Sequence, residues 1–434
     1  MHKVTQSSKN VTPFGGLNFI YEAISKSDIP QFIDNQIGSR NYRATYTYSD
    51  VLLSLFGNCM CNGECVSDLE NFKNKYNDQY FNYIPSPDTI EYVCQELKVK
   101  NTIELTENNF KVIEHEINNN DKLNKALVNL CVHTSLLKQG KQGYVMDYDN
   151  VVVETEKQDT KKSYKMTYGY HPGFAFIGKL PVHIENRNGN TPARYRQEEV
   201  LENCFNNLNL KDITIEHFRG DSASYQKKVI DLLEKKECLF YIRNSNSVSF
   251  SVACSQADVV WEKVDINYEI KEVASIEYTP FGQTKPYRIV VTRSLRKDGQ
   301  QDIFTGDAYT YYGIITNNRI MSNKEMILFY NQRGNDSENG NKNLLNDFNL
   351  GRLPFPDMDS NTVYMHFAAM CNVLFEFSKQ LLVHNKVDGI SLKDRVKRVC
   401  FRYICVCTTY VKHAGMRILK VFSGQNYQSL ELLV

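Results

Sequence analysis

Near residue 140 the hydrophobic period of the chain changes from that of a helix to that of a strand, and this change limits the folds open to it. Before it, "GGLNFIYEAISKSDIPQFIDNQI" sets Leu17, Ile20, Ile24 and Ile29 near helical spacing. "TYSDVLLSLFGNCM" offers Ser49 as an N-cap before an apolar run. "SPDTIEYVCQEL" opens with a Ser-Pro start signal, and "NNFKVIEHEINNNDKLNKALVNLCVHTSLLK" continues in helical style. Residues 15–135 are therefore expected to be mainly helical, within an N-terminal region 1–138. Such a region suits docking to a partner such as DNA, and equally suits packing or dimerisation.

After the change, "QGYVMDYDNVVVE" alternates and is rich in β-branched residues, so it reads as a strand. "GFAFIGKLPVHIEN" reads as two short strands around Gly178. "QEEVLENCFNNL" and "YQKKVIDLLEKKE" read as helices, with strands "DITIEHFRGDSAS" and "CLFYIRN" following each in turn. Strands alternating with helices predict an α/β fold with a mixed sheet. Residues 248–318, beginning "SVSFSVA", look β-rich and predict either an inserted β-subdomain at about 245–320 or an extension of the sheet. Helical patterns return after residue 322 and run into a basic C-terminal part that also reads as helical. A second region of 139–434 results, and 434 residues suffice for two or three domains.

The chain carries 51 basic and 50 acidic residues, a net charge of +1, so only local clusters of charge could favour a polyanion. The N-terminus shows no apolar secretory run, and no stretch is long enough to span a bilayer. Twelve scattered cysteines fit a reduced, cytoplasmic protein. Cys59, Cys61 and Cys65 in "GNCMCNGEC" lack a second half for a zinc site, so free thiols are the simpler reading.

Carboxylates carry the chemical signal. Asp147 and Asp149 stand two apart on a strand, hence on one face, where their repulsion invites a cation unless both are simply solvated. Asp221, in "FRGDSASY", ends a strand and precedes a helix, a usual place for functional groups in open sheets and also for a helix cap. Arg219 shares its face and could pair with it or with a phosphate. Downstream, "FYNQRGNDSENGNKNLLNDF" places Tyr330, Arg333 and Glu338 on one side of a helix if its Gly-Asn-Asp segment is wound, with Asp347 also within reach. The plain alternative is a solvated helix with a surface Arg–Glu pair. Glycines at 334 and 340 weaken that helix and point to close approach by a ligand. Three carboxylates in this order could hold Mg²⁺ or Mn²⁺, which prefer oxygen ligands, for two-metal phosphoryl transfer.

The stretches "MDYDNVVVETEK", "GYHPGFAFIGKLPVHIENRNGN", "FRGDSASYQ" with "FYIRNSN", and "FYNQRGNDSENGNKNLLNDFNLGRLPF" together resemble DDE transposases of insertion sequences in the Y-R-E group, nearest the IS1380 type. The likeness covers nearly the whole chain. It implies a ribonuclease-H-like catalytic core with a β-rich insertion, flanked by helical N- and C-terminal regions, the N-terminal one binding DNA. It implies a metal-dependent enzyme that cuts and joins DNA, working on terminal inverted repeats and target DNA as a DNA-bound homodimer near the nucleoid, with no membrane partner. The first acid falls on Asp149 or Asp147, with Asp149 preferred; the second falls on Asp221; the Y-R-E signature falls on Tyr330, Arg333 and Glu338. Asp149, Asp221 and Glu338 become the expected metal ligands.

Three departures stand out, one being Leu345, seven residues after Glu338, where the family has Lys. Val151 occupies a position where the family has Thr, and four residues separate Arg333 from Glu338, one more than the family spacing. On a regular helix one extra residue turns Glu338 by about 100°. The extra residue could loop out at Gly334, Asp336 could compete for metal, or catalysis could be impaired. A DNA-binding relic and a metal-dependent nuclease of the same fold are the alternative readings. Expected DNA contacts are Tyr330, Arg333, Arg219, Arg187 in "ENRNGNTPARYRQ", and Lys397, Arg398 and Arg402 in the basic tail. For the tail, a solvated basic helix face is the alternative.

Overall fold

The computed structural model describes residues 4, 11–76, 84–108, 111–141, 143–282, 284–296, 299–424 and 426–433, without the side chains of 108 and 335–338. Five helices lead: α1 (Gly16–Lys26), α2 (Ile29–Ile37), α3 (Tyr48–Met60), α4 (Asp68–Lys75) and α5 (Pro87–Leu97). The cap of α3 is Thr47, two residues before the expected Ser49. Thr47 and Asp50 form a reciprocal capping box, while Ser49 bonds the Asp34 carboxylate.

The helical expectation then fails. Residues 102–118 form an antiparallel hairpin, β1 (Thr102–Asn108) and β2 (Lys111–Asn118), before helix α6 (Asp121–His133). "TIELTEN" and "KVIEHEIN" alternate with period two, and Glu104, Glu107, Glu114 and Glu116 sit well on a solvated ribbon. Sequence reading went astray because the exposed face carries Ile103, Leu105 and Val112, which mimic a buried stripe.

The next strands are β3 (Tyr144–Asn150), β4 (Val153–Glu154), β5 (Lys161–Lys162), β6 (Tyr168–Tyr170), β7 (Gly173–Ile177), β8 (Leu180–Arg187), β9 (Ile215–Gly220), β10 (Leu239–Arg243), β11 (Glu262–Ile266), β12 (Glu269–Tyr278), β13 (Tyr287–Leu295) and β14 (Tyr309–Thr316). Strands β4, β5 and β6 make a small separate sheet. The others join one 11-stranded sheet in the order β1-β2-β8-β7-β3-β9-β10-β14-β13-β12-β11. Its centre is mixed: β8, β7 and β3 are antiparallel neighbours, whereas β3, β9 and β10 run parallel. The parallel pairs need crossovers, supplied by α7 (Gln197–Asn209) and α8 (Lys227–Lys235).

Residues 262–316 extend the same sheet from the β10 edge, so the β-rich segment is an extension and not a detached unit. "SVSFSVA" belongs to helix α9 (Val248–Gln256), not to a strand. Ser247 caps it, and Phe250 and Cys254, one turn apart, are buried.

Helix α10 (Asn323–Asn346) crosses the sheet and touches β3, β7, β11, β12 and β13. Helix α11 (Met358–His384) is buried along most of its length between β8 and helices α3, α5 and α6. That burial explains its apolar composition, and among the described residues no helix is long and apolar enough to cross a membrane. Because α11 packs on both groups and β2 pairs with β8, the N-terminal helices share a core with the sheet, which does not begin at residue 139.

The basic tail is helical only briefly. After α12 (Val396–Val399) and one π turn (Cys400–Ile404), it becomes a hairpin of β15 (Cys407–His413) and β16 (Met416–Phe422). Its turn puts Ala414 at φ 47° and Gly415 at φ 79°, as a two-residue hairpin turn requires. Thr12 and Thr408 exchange both backbone hydrogen bonds, at 2.9 and 3.0 Å, which ties the N-terminal segment to this tail.

Candidate active site

The parallel pairing of β3 with β9 aligns Asp147 with Arg219 and Tyr148 with Gly220. One step further in that register stand Asp149 and Asp221, at the C-terminal ends of two adjacent parallel strands. The first aligned pair is closed. Arg219 Nε and Nη2 donate to the two Asp147 carboxylate oxygens, each at 2.7 Å, with both side chains buried. Arg219 Nη1 donates to the Phe329 carbonyl at 2.8 Å, and the guanidinium lies 5.1 Å from the centre of the Phe329 ring. Asp147 and Arg219 thus leave the set of catalytic and DNA-contacting candidates. Each satisfies the other inside the core, and neither faces a polyanion.

The second pair is more open. Arg333 Nη2 lies 2.9 Å from Asp149 Oδ1, and Asn341 Nδ2 donates to Asp149 Oδ2 at 3.1 Å. Arg333 also donates to the Tyr148 carbonyl at 3.3 Å. Tyr330 Oη donates to the Gly220 carbonyl at 3.2 Å, pinning α10 to the end of β9. Burial pulls the Arg333 guanidinium down, but Asp149, Tyr330, Asp221 and Asp147 together raise it above its ordinary value, so it stays charged. Burial first, with Asp221 and Asp149 assisting, raises the Tyr330 phenol despite nearby Arg333 and Arg243. Asp149, Asp221, Tyr330 and Arg333 therefore share one electrostatic site under α10.

Asp221 is partly exposed and accepts a hydrogen bond from the Ala223 amide at 3.0 Å, capping the short 3₁₀ turn Ser222–Ser224. The cap occupies one carboxylate oxygen, so the functional and capping readings of Asp221 are compatible. Gly340 permits close approach, though not to a ligand. A Cβ there would sit 2.7 Å from the Phe176 ring on β7.

Other expected residues lie elsewhere. Arg187 is fully buried, paired with Glu185 at 2.7 Å and donating to the carbonyls of Pro192, Ala193 and Tyr195, so it shapes the 188–195 loop and makes no DNA contact. Asp347, just past the end of α10, is held in a two-bond pair with Arg395 at 2.9 and 3.0 Å. Lys397, Arg398 and Arg402 are exposed, Arg398 beside Asp394 and Arg402 donating to the Gly389 carbonyl. Lys397 and Arg398 line a cavity of about 830 Å³ with Arg352, Lys393 and Arg395. The Glu338 side chain lies outside the described residues, as does that of Asp336.

The family model for the transposase DDE domain, group 1, matches residues 3–430. The chain belongs to that family. Among solved structures this DDE transposase is similar to the piggyBac transposase synaptic complex with hairpin DNA, at 12% sequence identity and a TM-score of 0.41, covering 90% of this chain and 79% of that one. No curated protein matches it.

DDE transposases generally use a divalent metal, and the donor set here is hard oxygen, the chemistry Mg²⁺ and Mn²⁺ prefer. Among the described residues no group of three or more His, Cys, Asp or Glu side chains is placed to hold a metal ion. Asp149 and Asp221 do stand at the ends of adjacent parallel strands, one step beyond the Tyr148–Gly220 alignment. Sequence reading missed Asn341, which stands two turns beyond Arg333 on α10 and reaches the same carboxylate. That two-turn spacing was the available signal.

Proposed function

We propose that this transposase cuts and joins the DNA ends of an IS1380-type insertion sequence, with Asp149, Asp221 and Glu338 as its acids. The observation that carries the reading is the docking of α10. It brings Arg333 onto Asp149 and Tyr330 onto the Gly220 carbonyl, where two parallel strands end side by side. The strand order β8-β7-β3-β9-β10, antiparallel then parallel, supports a ribonuclease-H-like core. Asp149 and Asp221, joined by Glu338, would hold Mg²⁺ or Mn²⁺, which supplies activation of water and of the freed 3′-hydroxyl and charge neutralisation at phosphorus. Arg333 fixes the Asp149 carboxylate, Asn341 holds its second oxygen, and Tyr330 sets α10 at the distance these contacts need. Exposed Lys397, Arg398 and Arg402 contact DNA phosphates, and a homodimer would bring two inverted-repeat ends together.

The test is a strand-transfer assay with the inverted repeats that flank the gene, in Mn²⁺. Joined products are expected, and Asp221→Asn should abolish them. Cleavage without joining would make the protein a nuclease.

One observation favours a second reading, a DNA-binding protein with impaired catalysis. Helix α10 runs unbroken from Asn323 to Asn346, so no residue loops out at Gly334. Arg333 and Asn341 both reach Asp149 and stand about 80° apart on a regular helix, with position 337 midway between them and position 338 a further ~100° round. Under this reading end binding persists without cleavage, and Ser337→Glu, which puts a carboxylate on the favoured arc, restores it. If Glu338 is the acid, Glu338→Gln abolishes joining and Ser337→Glu adds nothing.

A further inference from the structure

The twelve cysteines are all free, yet they are not equivalent. Seven besides Cys400 are buried, and only Cys405 and Cys407 are exposed. Cys400 and Cys405 sit at the two ends of the π turn Cys400–Ile404, with their sulfurs 3.5 Å apart. The Cys405 amide donates to the Cys400 carbonyl at 2.8 Å, so the backbone already holds the two residues together. Single π turns are rare and recur at functional sites.

The surroundings divide the labour between the two sulfurs. Cys400 is buried and accepts a hydrogen bond from Asn62 Nδ2 at 3.0 Å. The two sulfurs share a hydrogen bond that favours the thiolate of exposed Cys405, whereas the same bond and burial push the Cys400 thiol up. An exposed, readily ionised sulfur therefore stands against a protected protonated one. This is the arrangement of an attacking thiolate with a resolving partner.

We infer that Cys400 and Cys405 form a reversible thiol–disulfide site oxidised by peroxides. The Cys405 thiolate attacks the peroxide O–O bond, giving Cys405 sulfenic acid and releasing hydroxide or alkoxide, which takes up a proton. The Cys400 sulfur then displaces hydroxide from that sulfenic acid, its thiol proton leaving with it as water. Two thiols are oxidised by two electrons and one peroxide is reduced. Closing the bond brings the sulfurs from 3.5 Å to about 2.05 Å, a movement within reach of side-chain rotation. A dithiol reductant reverses it. Cys61 and Cys407 are the competing partners: Cys61 lies within electrostatic range of Cys405, and Cys407 is two residues along the chain.

Tryptic mapping separates these outcomes, because cleavage after Arg402 leaves Cys400 in "VCFR" and Cys405 with Cys407 in "YICVCTTYVK". The full-length protein is treated with a small excess of hydrogen peroxide, alkylated and digested. The expected product is "VCFR" disulfide-linked to "YICVCTTYVK". It should be lost with dithiothreitol and in Cys405→Ser, and retained in Cys407→Ser. A bond confined to "YICVCTTYVK", a bond to the Cys61 peptide, or a sulfinic acid on Cys405 without any cross-link would overturn the assignment. Should a variant fail to fold, fragmentation of the cross-linked wild-type peptide between Cys405 and Cys407 decides this, and a bond to Cys407 would overturn the assignment.

Discussion

Two aspartate–arginine pairs stand two residues apart on one face of β3, and they have opposite characters. Asp147 and Arg219 are sealed in the core and joined by two parallel hydrogen bonds. Asp149 meets Arg333 at 2.9 Å and retains 19% side-chain exposure. The first pair joins two strands of the sheet, whereas the second joins the sheet to a helix. An arginine delivered from a neighbouring strand is fixed by register. One delivered from a helix can shift with it, so that the carboxylate can change partners. The chain thus keeps one carboxylate sealed for cohesion and leaves the next partly exposed.

The largest effect should come from breaking the closed pair. Asp147→Ala leaves Arg219 charged and poorly compensated in the core, at a cost of about 3–5 kcal/mol. A large drop in the urea midpoint with unchanged slope would show it. A change under about 1 kcal/mol would refute the cohesive role.

Acid should weaken the protein without touching either arginine pair. Burial lowers His366 to about 4 and His183 to about 3, so both are neutral in the folded state at neutral pH. Unfolding exposes them to ordinary values near 6.5, so the unfolded chain binds more protons between about pH 6.5 and 4. Stability is therefore full above about pH 6.5 and falls as the pH drops, by about 3 kcal/mol at pH 4 for His366 alone. Replacing His366 with Gln should flatten that slope in denaturant titrations across the range.

The open pair should respond more gently. Asp149→Asn is expected to cost about 1 kcal/mol, since the Asn341 and Arg333 contacts can be partly retained. Its signature is loss of most of the thermal stabilisation by Mn²⁺, which arises by mass action on the folded state. Asp221→Asn should behave likewise, with a still smaller stability cost because an amide oxygen can still accept from Ala223. A full Mn²⁺ shift in Asp221→Asn would leave that residue as a helix cap only.

The smallest effect belongs to the exposed tail. Lys397→Ala should leave both unfolding and the Mn²⁺ shift unchanged, weaken DNA binding a few-fold, and make the salt dependence shallower by about 0.9 in log–log slope. An unchanged slope would return Lys397 to a solvated face.

How legible this was in the sequence depended on whether the deciding partner was local. The alternation of "YVMDYDN" placed Asp147 and Asp149 on one face, and the strand–turn context of Asp221 was readable from its neighbours. Which aspartate was which was not readable, because Arg219 and Arg333 approach from distant segments. Arg187 had one local cue, Glu185 two residues earlier, but its other partners are loop carbonyls, which carry no residue-type signal. The "HAG" turn of the tail hairpin was a visible cue, overshadowed by the charge pattern. In α10 the pattern of Tyr330 and Arg333 was legible, and the wound state of the following segment was a matter of packing, with Gly340 set against Phe176.

The burial of α11 has a consequence for how the chain is made. Helix α3, which carries buried Val51, Leu52 and Phe56, packs against α11, which is translated some three hundred positions later. At roughly 5–20 residues per second, those apolar side chains wait on the order of tens of seconds for their partner. Until then the nascent N-terminal helices are a client for chaperones, and a message truncated before residue 358 encodes a product without its central packing element. A premature stop late in the gene should therefore yield aggregation or degradation, not a smaller DNA-binding protein.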